Sequence, residues 1–150
     1  MFKNRTGIDK TYLALVCGKI SKEGVINKPL TKDENDKTVR VDSKYGKTAI
    51  TEYKPLVFSD DFTLVEAHIL TGRTHQIRVH MKYIGHPIVG DDVYGKEDKK
   101  FGLKGQLLHS KSIGFIQPTT KEYMEFDSEL PDYFKKVLEK LDNAEWLNEI

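Results

Sequence analysis

Apolar residues follow two different spacings along this chain, and the change between them falls near Thr71. Before it the pattern is that of strands. Lys10–Val16 (KTYLALV) is rich in aromatic and branched residues and stops at Gly18, Gly24–Leu30 gives a second short strand before Pro29, and Thr31–Asp36 (TKDEND) reads as a polar loop. Thr38–Val41 alternates, 43-SKYGK-47 supplies a turn, and Thr48–Phe58 and Phe62–Leu70 are longer β segments separated by Ser59-Asp60-Asp61. Alternation in Phe62–Leu70 predicts one polar face, and the whole run predicts an antiparallel meander.

After Thr71 the spacing becomes helical. Ile77, Met81 and Ile84 recur at i, i+4 and i+7, Thr74 is a suitable N-cap, and Gly85 and Pro87 stop the segment, so a helix is predicted over His75–Ile84. A Gly/Pro-rich loop at 86–95 and a charged loop at 96–105 follow. Leu107–Phe115 and Tyr123–Phe126 are two more strands, and Pro131–Leu141 is a closing helix with Phe134, Leu138 and Leu141 on one side. The expected fold class is α+β: a largely antiparallel mixed β-sheet, a short helix at about 74–84 on one of its faces, and a C-terminal helix. No repeat or linker divides residues 1–150, which are expected to form one domain.

At 150 residues, with 38% hydrophobic and 31% charged side chains, the chain is long enough to bury a core and too rich in aromatics to be disordered. It carries no membrane-spanning run. The start lacks the apolar stretch of a secretory signal, and one cysteine, Cys17, cannot pair within the chain, so a reducing cytoplasm is the expected location. The net charge of +1 conceals an asymmetry: residues 1–120 hold 20 Lys+Arg against 14 Asp+Glu, and residues 121–150 hold 4 against 9. A basic body suits a polyanionic partner, although scattered surface charge also produces such an excess.

The chemistry concentrates in 69-ILTGRTHQIRVHMKYIGHPIVGDDVYG-95. Its His75, His80 and His86 invite a metal reading. On a helix, however, positions i and i+5 lie about 140° apart, so His75 and His80 cannot face one ion, and no metal is expected. No serine or cysteine sits on a nucleophile turn. His75, Arg78 and Lys82 form a basic stripe, Arg73 precedes the helix, and Gly72 permits close backbone approach to an anion. A solvated basic helix face explains the same pattern.

The stretch 70-LTGRTHQIRVHMKYIGHPIVGDDVYG-95 resembles the C-terminal signature of the RluA-type pseudouridine synthases, which isomerise uridine to pseudouridine in ribosomal and transfer RNA. The likeness extends to 10-KTYLALVCG-18, 46-GKTAITEYKPL-56 and 107-LLHSKSIGFIQPTTKEYMEF-126. It implies an intramolecular isomerase acting on RNA without metal or organic cofactor. Tyr12 matches the tyrosine that packs against the flipped uracil and is a candidate for proton transfer at C5. Arg78 matches the arginine that pairs with the catalytic aspartate, a task suited to a guanidinium fork. Arg73, Thr74, His75, Gln76 and Lys82 are implied to lie at the RNA, with His75 and Gln76 orienting the loop more than reading bases. His86, Pro87, Gly90, Asp91 and Tyr94 look like a brace between helix and sheet.

One motif is missing. The family's nucleophilic aspartate stands in a segment resembling HRLDxxTSG, and none of Asp9, Asp33, Asp36, Asp42, Asp60 or Asp61 has those flanks. The expectation is therefore that residues 1–150 are the C-terminal portion of a catalytic domain, inactive alone, with Lys10–Val16 as an exposed edge prone to self-association. The alternatives are a stand-alone RNA-binding module without catalysis, and a structural subunit that meets its other half as a separate polypeptide.

Overall fold

The computed structural model describes residues 8–35, 38–95, 105–116, 123–127 and 129–140. Ten elements follow in chain order: β1 (Ile8–Cys17), β2 (Gly24–Asn27), β3 (Leu30–Lys32), β4 (Val39–Val41), β5 (Ile50–Phe58), β6 (Phe62–Ile69), α1 (Gln76–Tyr83), β7 (Leu108–Ile116), β8 (Tyr123–Asp127) and α2 (Asp132–Lys140). Six strands join in the order β2-β5-β6-β1-β7-β8, while β3 and β4 form a separate hairpin. Every described pairing is antiparallel. The α+β class is as the sequence predicts.

Residues of β1 alternate between two cores because successive side chains point to opposite faces. Ala14 and Val16, with Tyr12 packed beside them, join Val65, Ala67, Ile77 and Met81 under α1. Leu13 and Leu15 join Leu64, Phe134, Val137 and Leu138 under α2. The sheet is thus covered on both faces, which corrects the expectation of a polar face on β6: Thr63, Leu64, Val65, Ala67 and His68 are all buried. A strand between two helices has no wet side. The predicted Leu141 lies outside the described residues.

The position of β1 also departs from expectation. It pairs with β6 on one side and with β7 on the other, so it is an interior strand and not a cut edge. The sequence hid this because β7 returns from about a hundred residues away. Among the described strands the sheet ends are β2 and β8, and self-association through β1 loses its basis.

Two further differences concern local structure. The predicted second strand is split at Lys28-Pro29, and Thr31 and Lys32, expected in a loop, pair with Arg40 and Val39. Leu30 and Val39 bury against Val79 and Tyr94, and that tertiary contact outweighs the polar composition of the segment. Pro55, which cannot donate to a ladder, sits where the β5–β6 register shifts. At the end of α1, Gly85 has φ 88° and donates to the Lys82 carbonyl, while His86 N–H reaches the Met81 carbonyl. That is a Schellman ending, and it requires a residue at ease with positive φ.

Candidate functional site

The turn from β6 into α1 is organised by one side chain. Gln76 is 3% exposed. Its Oε1 accepts from Thr71 Oγ1 (2.7 Å) and the Arg73 N–H (3.1 Å), and its Nε2 donates to the Ile50 carbonyl (2.8 Å) and Thr51 Oγ1 (3.0 Å). All four hydrogen-bonding capacities of the amide are used. Gln76 thus orders the loop from inside, the loop-orienting part of what the resemblance implied. Thr74 is not the N-cap. That position belongs to His75, at φ 54° with no side-chain cap, and Thr74 is exposed.

Arg78 leaves α1 toward the loop that follows it. Its Nε and Nη2 donate to Asp91 Oδ2 and Oδ1, both at 2.9 Å, and its guanidinium lies 5.0 Å from the Tyr94 ring centre. Asp91 is fully buried, and its Oδ1 also accepts the N–H groups of Val93 (3.1 Å) and Tyr94 (3.0 Å). Burial opposes ionisation of Asp91, but the Arg78 hydrogen bonds and charge, with the two turn N–H groups, outweigh it and hold the carboxyl below its ordinary value. The Asp91 hydrogen bond in turn raises the Arg78 pKa. Arg78 thus has a partner within the chain, where the resemblance implied only the catalytic aspartate. Among the described residues Nη1 has none.

The three histidines do separate work. His80 Nε2–H donates to the Lys28 carbonyl (2.9 Å), so Nδ1 accepts from Thr51 Oγ1 (2.8 Å), extending the Gln76 chain; burial lowers its pKa. His86 Nδ1–H donates to the Cys17 carbonyl (2.8 Å). The Tyr94 phenol accepts the Val39 N–H (2.9 Å) and donates to His75 Nδ1 (2.7 Å), leaving Nε2–H outward. Desolvation, then the Arg78 charge, lower the His75 pKa, and Lys32 adds to this. With Val89 N–H on the Leu15 carbonyl and Cys17 N–H on the Pro87 carbonyl, the 86–95 loop braces helix and sheet as expected.

A groove of about 310 Å³ opens where the β3–β4 hairpin meets the β6–α1 turn. Leu30, Val39 and Thr31 form part of its wall, and the other described lining residues are Lys32, Tyr45, Lys47, Gly72, Arg73 and Thr74, none of them acidic. Arg73 Nε is anchored on the Thr48 carbonyl (2.8 Å). The structure therefore brings Arg73 and Thr74 together with Lys32, Tyr45 and Lys47, which the sequence places in a loop and a turn. The signal was present in 43-SKYGK-47, an aromatic flanked by lysines in a turn. Lys82 is exposed at the far end of α1 and is not among the lining residues. Tyr12 is half-buried on the α1 face of the sheet, packed on the cluster that holds Ile77 and Met81.

Residues 1–83 match the family model described as RNA pseudouridylate synthase. The chain is 44% identical over 139 residues to an uncharacterised RNA pseudouridine synthase of Bacillus subtilis (strain 168), covering 92% of this chain and 45% of that protein. It is 40% identical over 148 residues to ribosomal large subunit pseudouridine synthase C of Vibrio vulnificus (strain CMCP6), covering 93% and 46%. The chain thus spans about half the length of the curated relatives it matches. A solved structure, human RNA pseudouridylate synthase domain containing 1, superposes with a TM-score of 0.69 at 30% identity, covering 82% of this chain and 55% of that one. Family model, curated relatives and superposition agree, and the chain belongs to the RNA pseudouridylate synthase family.

Proposed function

We propose that the protein containing this chain isomerises uridine to pseudouridine in a structured RNA, ribosomal or transfer, and that residues 1–150 build the part of the catalytic domain that receives the nucleotide and positions a carboxylate supplied from outside them. The observation that carries this is the geometry of Arg78. A guanidinium has two bidentate edges; Asp91 closes the Nε/Nη2 edge and fixes the plane, while Nη1 and the second Nη2 hydrogen, unpartnered among the described residues, are available to another oxyanion. A side chain held this way loses little freedom when the second carboxylate arrives. Tyr12 stands on the same face of the sheet as the helix bearing Arg78 and offers a ring to a uracil removed from its stack.

In the reaction the C1′–N1 bond breaks, the base turns over and a C1′–C5 bond forms. C5 loses its proton and N1 gains one, so no outside group is consumed. Arg78 keeps the external carboxylate ionised and oriented, and Tyr12 supports the freed base and is the candidate to accept the proton from C5.

Release of tritium from RNA labelled at uridine C5 tests the reading. The 150-residue chain alone is expected to release none. Adding the N-terminal half of the B. subtilis relative as a second polypeptide is expected to restore release, and Arg78→Lys in the chain to lower it again. Release by the chain alone refutes the externally supplied carboxylate.

A further inference from the structure

The groove between the hairpin and the β6–α1 turn contains an aromatic that the fold does not need. Tyr45 is 74% exposed, so its ring contributes nothing to the core. Yet the turn that carries it is tightly built. Asp42 Oδ1 accepts the N–H groups of both Lys44 and Tyr45 (3.0 Å each), Asp42 Oδ2 accepts from Arg40 (3.3 Å), and the Gly46 N–H closes onto the Asp42 carbonyl (2.9 Å). A Cβ at Gly46 would collide with Asp42 O and with the backbone of Pro29 and Leu30, which presses the turn against the hairpin base. Lys44 Nζ covers one side of the Tyr45 ring at 5.2 Å from its centre.

The described lining of the groove is one-sided in charge, Asp42 lying beneath the turn and outside it. Lys32, Lys47 and Arg73 line the same groove, with no acidic side chain among the described lining residues. Arg73 is pinned through Nε, which leaves its terminal nitrogens without a partner among the described residues. At Gly72 a Cβ would meet no heavy atom within 4 Å, so the wall beside Arg73 has room for a backbone to pass. An exposed ring on a hydrogen-bonded turn in a cationic groove is the arrangement that binds single-stranded nucleic acid, the ring taking the base and the cations the phosphates. An acidic peptide would use the cations and leave the ring idle.

Resting on the proposed RNA isomerase reading, we propose that Tyr45 is a stacking platform for one unpaired nucleotide of the substrate RNA near the target uridine, whose flanking phosphates lie against Lys47 and Arg73. The groove thereby selects RNA with an unpaired segment over continuous duplex.

The test is binding of the 150-residue chain to a fluorescent RNA hairpin with an unpaired loop, and to the same stem closed as a duplex. Wild type is expected to prefer the looped RNA. Tyr45→Ala is expected to lower affinity for the loop about tenfold with little change for duplex, and Tyr45→Phe to retain it. Lys47→Ala is expected to weaken both and to reduce the slope of log affinity against log salt by about one. A fluorescent adenine analogue in the loop should be quenched by wild type and by Tyr45→Phe, but not by Tyr45→Leu, which keeps apolar bulk without a flat ring. Equal affinity of wild type and Tyr45→Ala for the looped RNA, or no preference of wild type for it, overturns the proposal. Tritium release by the reconstituted enzyme is scored separately: release that survives Tyr45→Ala with unchanged loop binding sinks the platform alone, whereas its absence in wild type sinks the isomerase reading.

Discussion

Replacing Asp91 by Ala removes a fully buried carboxylate that holds two Arg78 bonds at 2.9 Å and two turn N–H groups. The Arg78 side chain is only 11% exposed, so its charge is left largely desolvated and unpaired. Breaking such a pair costs about 3–5 kcal/mol, against a total stability of about 5–15 kcal/mol for a domain. For a chain of this size the midpoint of thermal unfolding should fall by about 6–20 °C. Asp91→Asn keeps an acceptor for the Val93 and Tyr94 N–H groups and should lose less. The decisive measurement is a double-mutant cycle by urea unfolding. Arg78→Met removes the charge that Asp91→Ala strands, so the double variant should be more stable than the sum of the two losses predicts, by about 2 kcal/mol. Losses that add to within about 0.5 kcal/mol would refute the claim that Asp91 serves chiefly to hold this guanidinium.

Other consequences are equally direct. Gln76→Ala removes the acceptor of the Arg73 N–H and the Thr71 hydroxyl and the donor to the Ile50 carbonyl, and should cost about 2–4 kcal/mol in urea unfolding, more than a surface Gln could. His80 and His75 both have pKa values lowered from 6.5 in the folded chain, so the unfolded state binds more protons below that pH. Their contribution to stability is full above about pH 6.5 and is lost as pH falls through the folded values; stability that rises between about pH 6.5 and pH 5 would contradict this. Gly46→Ala drives a methyl into backbone at Asp42, Pro29 and Leu30, and should lower the unfolding midpoint while Gly72→Ala, which meets open space, should not. Arg78→Lys, which cannot reproduce the bidentate fork, should lower tritium release by at least tenfold in the reconstituted enzyme while leaving RNA affinity within about threefold.

Much of the architecture could be read from the chain because it depends on local periodicity. Aromatic and branched residues in KTYLALV and alternation in FTLVEAHI specified β1 and β6, the 3.6-residue recurrence of Ile77 and Met81 specified α1, and Gly85 marked its end, since each signal acts within a few residues. The signature around Arg78 identified the family for the same reason, being contiguous. What the sequence left open was set by residues far apart in it. Whether β1 lies inside the sheet or at its edge depends on β7, and whether β6 has a wet face depends on α2. The partner of Arg78 is thirteen residues away across a loop whose course no periodicity describes. The cationic groove joins Lys32, Tyr45 and Lys47 to Arg73 only because Leu30 and Val39 bury against Val79 and Tyr94, drawing the hairpin over α1. A short-range pattern states which side chains share a face; which two faces meet is decided by the burial of the whole chain.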